Sequence, residues 1–271
     1  MPTIGFIGGG NMAASLIGGL INADISASDI TVAEPDEKRR QALAEQFGIN
    51  TTADNNATLN TEIIVLAVKP QLLKQVCQQM DIRSQDKHLF ISIAAGIKST
   101  DINRWLNGNQ AIVRCMPNTP ALLQCGASGL YANEFVSDSR KQQAEKIMQA
   151  VGIVIWVDEE DLLNAVTAVS GSGPAYFFLM MEAMQQAGES LGLDASVSQQ
   201  LVLQTALGAA RMAIESNSSA GELRQMVTSK GGTTEQAISS FQSADYNKIV
   251  LDALRAANDR SISLADELGS E

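Results

Sequence analysis

Histidine is almost missing from this 271-residue chain, with His88 the only one. That removes most histidine-based metal sites and argues against a serine–histidine hydrolase. His88 itself reads as a polar residue opening a strand at 89–93. Cysteine is scarce too. Cys77, Cys115 and Cys125 are odd in number, widely spaced and include no CxxC pair, so neither a disulfide framework nor a zinc site can be drawn. They read as small buried hydrophobes in a reducing compartment. Positive charge is also short, with 19 Lys and Arg against 30 Asp and Glu and a formal net charge of -11. Such a surface repels nucleic-acid backbones and anionic membranes. A phosphate-bearing ligand must then be held by backbone dipoles or a few placed cations. Purely apolar runs such as residues 63–68 are far too short to span a bilayer. No basic segment precedes an apolar one at the start of the chain, so no signal peptide is expected. The expectation is a soluble, cytoplasmic protein.

What is present is organised in two halves. Hydrophobic residues make up 45% of the chain, and its length allows two domains. Short apolar strand candidates lie at 3–7, 30–33, 63–68, 89–93, 111–114, 128–131 and 153–157. Helical patterns at 12–23, 37–47, 71–80 and 99–106 alternate with the first of them. That alternation predicts a mostly parallel sheet covered on both faces. Strand signals stop after Val157, and helices are expected at 174–192, 196–216, 234–242 and 247–269. The predicted fold is therefore an α/β Rossmann-type domain over 1–158 followed by an all-α domain over 159–271. The segment from Ala175 to Met181 is apolar almost all round, which demands burial on every side. A second subunit is the expected cover, with a central helix of a monomeric bundle as the alternative.

The first constellation is Gly8-Gly9-Gly10-Asn11-Met12-Ala13, placed between the first strand and the first helix. In such a turn the first glycine permits the tight bend, Gly10 lets a pyrophosphate approach, and Ala13 allows close helix–strand packing. The helix N-terminus supplies free N–H groups to the phosphates. Glu34 follows the second strand at about the twenty-residue spacing expected for a ribose-binding carboxylate. It would repel the extra phosphate of NADP unless Lys38, Arg39 or Arg40 compensates. Equally, Glu34-Pro35-Asp36 could simply cap the next helix. Ala67, Val68, Lys69 and Pro70 follow the third strand, Ala94 and Ala95 the fourth, and Met116-Pro117-Asn118-Thr119-Pro120 the fifth. Ligands in open α/β sheets sit beyond these carboxyl ends. In the helical half, Ser229-Lys230-Gly231-Gly232-Thr233-Thr234 leads into a helix, with a capping box expected from Thr233 to Gln236. Paired glycines before a helix make an anion nest, suited to a substrate carboxylate, with the Thr234 hydroxyl near the group being reduced.

These segments, together with Ser170-Gly171-Ser172-Gly173-Pro174-Ala175-Tyr176, resemble pyrroline-5-carboxylate reductase along nearly the whole chain. The resemblance implies reduction of 1-pyrroline-5-carboxylate to L-proline by NADP(H) or NAD(H), the last step of proline biosynthesis. Family habit favours NADP(H), whereas the charge of Glu34 points to NAD(H). It implies that Ser229, Gly231, Gly232 and Thr233 bind substrate, with Thr234 as the catalytic candidate. It implies that Asn55 lies on the adenosine side of the cofactor, while Ala67, Lys69, Ala94 and Asn118 line the nicotinamide side. It further implies a homodimer at least, with the helical domain interleaved with its partner, and no metal. The chain departs from the family pattern at Lys230, where proline is usual. A β-hydroxyacid dehydrogenase is the rival enzyme reading, but no lysine follows Gly171-Ser172-Gly173 in the next turns. A dinucleotide sensor without turnover is the rival from another class, and it has no need of a second anion nest.

Overall fold

The computed structural model describes residues 2–83 and 88–269. Six strands, β1 (Ile4–Ile7), β2 (Ile30–Ala33), β3 (Asn50–Thr52), β4 (Ile63–Leu66), β5 (Leu89–Ser92) and β6 (Ala111–Met116), form a parallel array. They are connected largely through helices α1 (Asn11–Asn22), α2 (Glu37–Phe47), α3 (Pro70–Gln78) and α4 (Ser99–Trp105). β1 and β4 are buried throughout because helices cover both faces of the sheet. The side chains divide by the two-residue strand period. Ile4, Phe6, Ile63, Val65, Leu89, Ile91 and Val113 face α1 and α2, whereas Ile7, Ile64, Leu66, Phe90 and Ile112 face α3 and α4.

Two further strands complete an eight-stranded sheet of order β3-β2-β1-β4-β5-β6-β7-β8. β7 (Gly126–Ala132) runs antiparallel to β6, and β8 (Gly152–Trp156) runs parallel to β7. The link between β6 and β7 carries only a short 3-10 turn, Thr119–Leu123, and a parallel crossover needs about a dozen residues or more. The reversal is therefore forced by chain length. Helix α5 (Asp138–Gln149), which no expectation covered, makes the crossover from β7 to β8. Its buried residues Ala144, Ile147 and Met148 join the core shared with α1.

The chain divides into two compact units, 1–172 with 256–271, and 173–255. The division expected at 158 thus falls earlier in the chain than the structural one. Strand signals do end there, but α6 (Leu162–Val166) stays on the sheet. A Cβ on Gly129 of β7 would lie 2.6 Å from Val166, so glycine is what admits the helix. One wide π-helical turn, Thr167–Gly171, follows α6. The second unit contains α7 (Gly173–Ser190), α8 (Ala195–Glu215), α9 (Ala220–Met226), α10 (Thr233–Ser243) and the start of α11 (Tyr246–Gly269). α9 was not anticipated. It is opened by a capping box in which Ser219 and Glu222 exchange hydrogen bonds. α7 and α8 pack closely at Gly188, where Ser198 donates to the Gln185 carbonyl at 2.8 Å.

Candidate active site

The carboxyl ends of β2, β1, β4 and β5 lie side by side, since Ala33 pairs with Ile7, Ile7 with Leu66, and Leu66 with Ser92. The chain winds in opposite directions from β1, to β2 on one side and β4 on the other. Ligands gather where the strand order reverses in this way. A cleft of about 560 Å³ opens there, and Gly8, Gly10, Glu34, Asn55, Ala67, Val68 and Lys69 all line it. Seven residues predicted from sequence for one ligand therefore share one cavity.

Each glycine of the turn has its own reason. Gly8 has φ +97, and a Cβ there would sit 2.6 Å from the Ala67 carbonyl oxygen. Gly9 packs on Leu43, leaving 2.7 Å to a hypothetical Cβ. Gly10 is different, with nothing within 4 Å of that position. Its lack of a side chain leaves the approach to α1 open, as a phosphate requires. Gly10 is the N-cap of α1 and offers no side chain to the helix. The first intrahelical bond runs from the Ala14 amide to the Gly10 carbonyl. The amides of Asn11, Met12 and Ala13 thus have no acceptor within the helix, and the helix dipole favours negative charge there. These residues fit a dinucleotide pyrophosphate.

Glu34 does not act as a helix cap. Asp36 does that, accepting from the Arg39 amide at 2.8 Å. The Glu34 carboxylate instead accepts from the Gly9 amide at 2.8 Å and from the Asp36 amide at 3.1 Å. Beyond the expected residues, Leu72, Gln75, Val76 and Gln79 also face the cleft. Their spacing is that of one helical face on and just past α3, a signal the sequence does carry.

Pro70 is the first residue of α3, and Lys69 its N-cap. Ala94 is buried and Ala95 exposed in the turn after β5. Asn118 is buried, and its amide is committed on both sides. It donates to the Ser170 carbonyl at 3.1 Å and accepts from the Ala127 amide at 2.9 Å. Nearby, a Cβ on Gly171 would meet Met116 at 2.5 Å. Met116 and Asn118 are thus packed against Ser170 and Gly171. The Cys115 thiol beside them is pushed up to about 12 by burial, an effect larger than the opposing hydrogen bond to Ser128. It offers no thiolate for chemistry. Cys77 is likewise pushed up to about 12 by burial. Cys125 departs from the expectation of burial, being exposed just after the left-handed turn at Gln124.

In the second unit, the 229–234 loop forms the start of α10. The expected capping box there does not form, since Gly232 is the N-cap and has no side chain to give. Glu235 instead accepts from the Gly231 amide at 2.7 Å, and Gly231 has φ +75. The Gly232 amide donates to the Ser229 carbonyl at 3.0 Å. The first-turn amides of Thr233 and Thr234 have no intrahelical acceptor, and Thr234 is half-buried. The Gly231 amide is thus already taken by a carboxylate of the chain itself. Lys230 is exposed. A polar recess of about 430 Å³ between α9 and α10 includes Glu235 but none of Ser229, Gly231, Gly232, Thr233 and Thr234. No group of His, Cys, Asp and Glu able to hold a metal occurs among the described residues.

Known proteins match both halves. A family model described as pyrroline-5-carboxylate reductase dimerisation matches residues 160–264, and one described as NADP oxidoreductase, coenzyme F420-dependent, matches residues 3–96. A pyrroline-5-carboxylate reductase of Pseudomonas aeruginosa is 51% identical over 269 residues, covering 99% of this chain and 98% of the relative. The solved structure of a Coxiella burnetii pyrroline-5-carboxylate reductase is 47% identical with a TM-score of 0.94, covering 97% of this chain and 98% of that one. A Plasmodium falciparum pyrroline carboxylate reductase, solved with NADP bound, is 29% identical with a TM-score of 0.86 over 97% of this chain and 98% of that one.

Proposed function

From the premise that the chain belongs to the pyrroline-5-carboxylate reductase family, we propose that it reduces 1-pyrroline-5-carboxylate to L-proline with NAD(P)H, as a homo-oligomer. The full-length match at 51% identity carries this reading. The cleft at the strand ends and the loop at α10 support it chemically, because the reaction needs a seat for a dinucleotide and a seat for a small acid.

The dinucleotide, when bound, supplies the hydride. The amides of Asn11, Met12 and Ala13 hold its phosphates, with Gly8 and Gly10 shaping the approach. Ala67, Val68, Lys69, Pro70, Ala94, Ala95 and Asn118 belong to the strand ends that border it, and Asn118 acts by anchoring its loop. The Ser229-to-Thr233 loop seats the substrate carboxylate, with the first-turn amides of α10 as donors. A protonated cyclic imine is already electrophilic. Addition of hydride at its carbon sends the C=N π pair to nitrogen and leaves a neutral amine. Positioning is then the main demand on the protein, and a histidine or metal is not required. Thr234 orients the ring nitrogen or relays a proton to it.

No helix among the described residues is long and apolar enough to cross a membrane. The three free cysteines suit a reducing cytoplasm. NAD(P)H oxidation followed with 1-pyrroline-5-carboxylate, and NAD(P)+ reduction followed separately with small hydroxy acids, test the activity. Turnover only with the hydroxy acids sinks the reading. Thr234→Ala is expected to lower kcat/KM by about tenfold or more, the cost of one hydrogen bond to a reacting group. Unchanged kinetics would remove Thr234 from the mechanism.

A further inference from the structure

The Glu34 carboxylate is held by two backbone amides, and that geometry bears on which dinucleotide the cleft selects. One oxygen accepts from Gly9 at 2.8 Å and the other from Asp36 at 3.1 Å. With both oxygens tied, the group cannot swing away without losing both bonds. It stands on the wall of the cleft that Gly8 and Gly10 also line. Two arginines follow, and each is engaged with backbone carbonyls. Arg39 Nε donates to the Gly9 carbonyl at 2.6 Å. Arg40 Nη1 donates to the carbonyls of Glu34 at 2.7 Å and Pro35 at 2.8 Å. Among the described residues no ion pair neutralises the Glu34 carboxylate, and neither arginine lines the cleft.

Resting on the dinucleotide-reductase reading above, we propose that Glu34 makes this chain selective for NADH over NADPH. A carboxylate at the end of the second strand accepts hydrogen bonds from ribose hydroxyls. A 2′-phosphate offers it no donor and brings like charge into a partly desolvated wall. The Gly9 amide that fixes Glu34 belongs to the same turn that faces the pyrophosphate. Ribose recognition and phosphate recognition are therefore built on one loop.

The test measures Kd for NADH and NADPH by calorimetry on the full-length protein without substrate, alongside kcat/KM for both with 1-pyrroline-5-carboxylate. The wild type is expected to favour NADH by about tenfold or more in both quantities, the worth of a charge-assisted hydrogen bond gained or lost. Glu34→Gln is expected to narrow the ratio several-fold, chiefly by tighter NADPH binding. Arg39→Ala serves as the second variant and should leave NADH preferred. Equal or tighter binding of NADPH by the wild type overturns the proposal. So does an unchanged ratio in Glu34→Gln, or a selective loss of NADPH binding in Arg39→Ala. Absence of turnover with an intact Kd ratio would instead count against the reaction assigned above.

Discussion

Gly8 carries two independent constraints, a left-handed backbone and a 2.6 Å approach to the Ala67 carbonyl. Either alone would exclude a side chain. Gly10 carries neither, so its value lies in the space it leaves. A motif read from sequence cannot separate these roles, although it locates all the glycines. The cysteines show the same division between type and environment. Their number and spacing exclude a disulfide framework without any structure, but burial separates Cys77 and Cys115 from the exposed Cys125. Both buried thiols are pushed up to about 12, so at pH 8 they remain protonated and lack the nucleophilic thiolate. A thiol reagent applied to the native protein at pH 8 should therefore label Cys125 alone, with the other two reacting only after denaturation. Mass spectrometry showing rapid native labelling at Cys77 or Cys115 would contradict this.

Elements are held in place by contacts that no local pattern announces. Glu160, just past β8, accepts from the Ser99 amide at 2.6 Å and from the Ser99 hydroxyl at 2.7 Å. It also takes the Arg114 guanidinium of β6 at 2.8 Å, with both side chains nearly buried. One carboxylate thus caps the start of α4 from a distant part of the chain and pairs a cation on the sheet. Glu160→Ala leaves that cation without its partner. The expected loss is about 3 kcal/mol of stability, as for other buried pairs broken on one side. Urea unfolding would measure it, and a loss below about 1 kcal/mol would mean that solvent screens the pair. The helices α1 to α4 and most strands were legible because their periods are written in their own residues. The antiparallel direction of β7 and the existence of α5 were less so. α5 presents a strongly polar surface and only a short buried stripe, so its helical signal is weak in isolation.

The whole molecule turns on where apolar surface remains. Phe177, Phe178 and Leu179 of α7 are 69%, 63% and 66% exposed in the single chain. Apolar residues of α8, among them Leu207, Met212 and Ile214, are exposed as well. So much apolar surface in one helical unit marks an association site, and the dimerisation family model covers these residues. The expectation that this helix needs a second subunit is thereby supported. Phe178→Glu should shift the protein toward monomer, or toward aggregate, in size-exclusion chromatography with light scattering. A variant that keeps the wild-type mass at micromolar concentration would place the interface elsewhere.

The residues themselves were enough for the α/β-then-α plan, the glycine turn after the first strand and the glycine loop before α10, because backbone demands at those points are local. Composition by itself also argued against most histidine-based metal sites, a disulfide framework and a nucleic-acid partner. Tertiary structure alone decided that the first compact unit runs past 158 and regains the chain from Ala256. It alone decided that the expected cap at Thr233 gives way to Glu235 on Gly231, and that Glu34 binds the Gly9 amide while Arg39 and Arg40 bind carbonyls. Each of those outcomes depends on which polar atoms come within about 3 Å of one another. Spacing along the chain specifies which groups are available, but only the packed chain decides which of them meet.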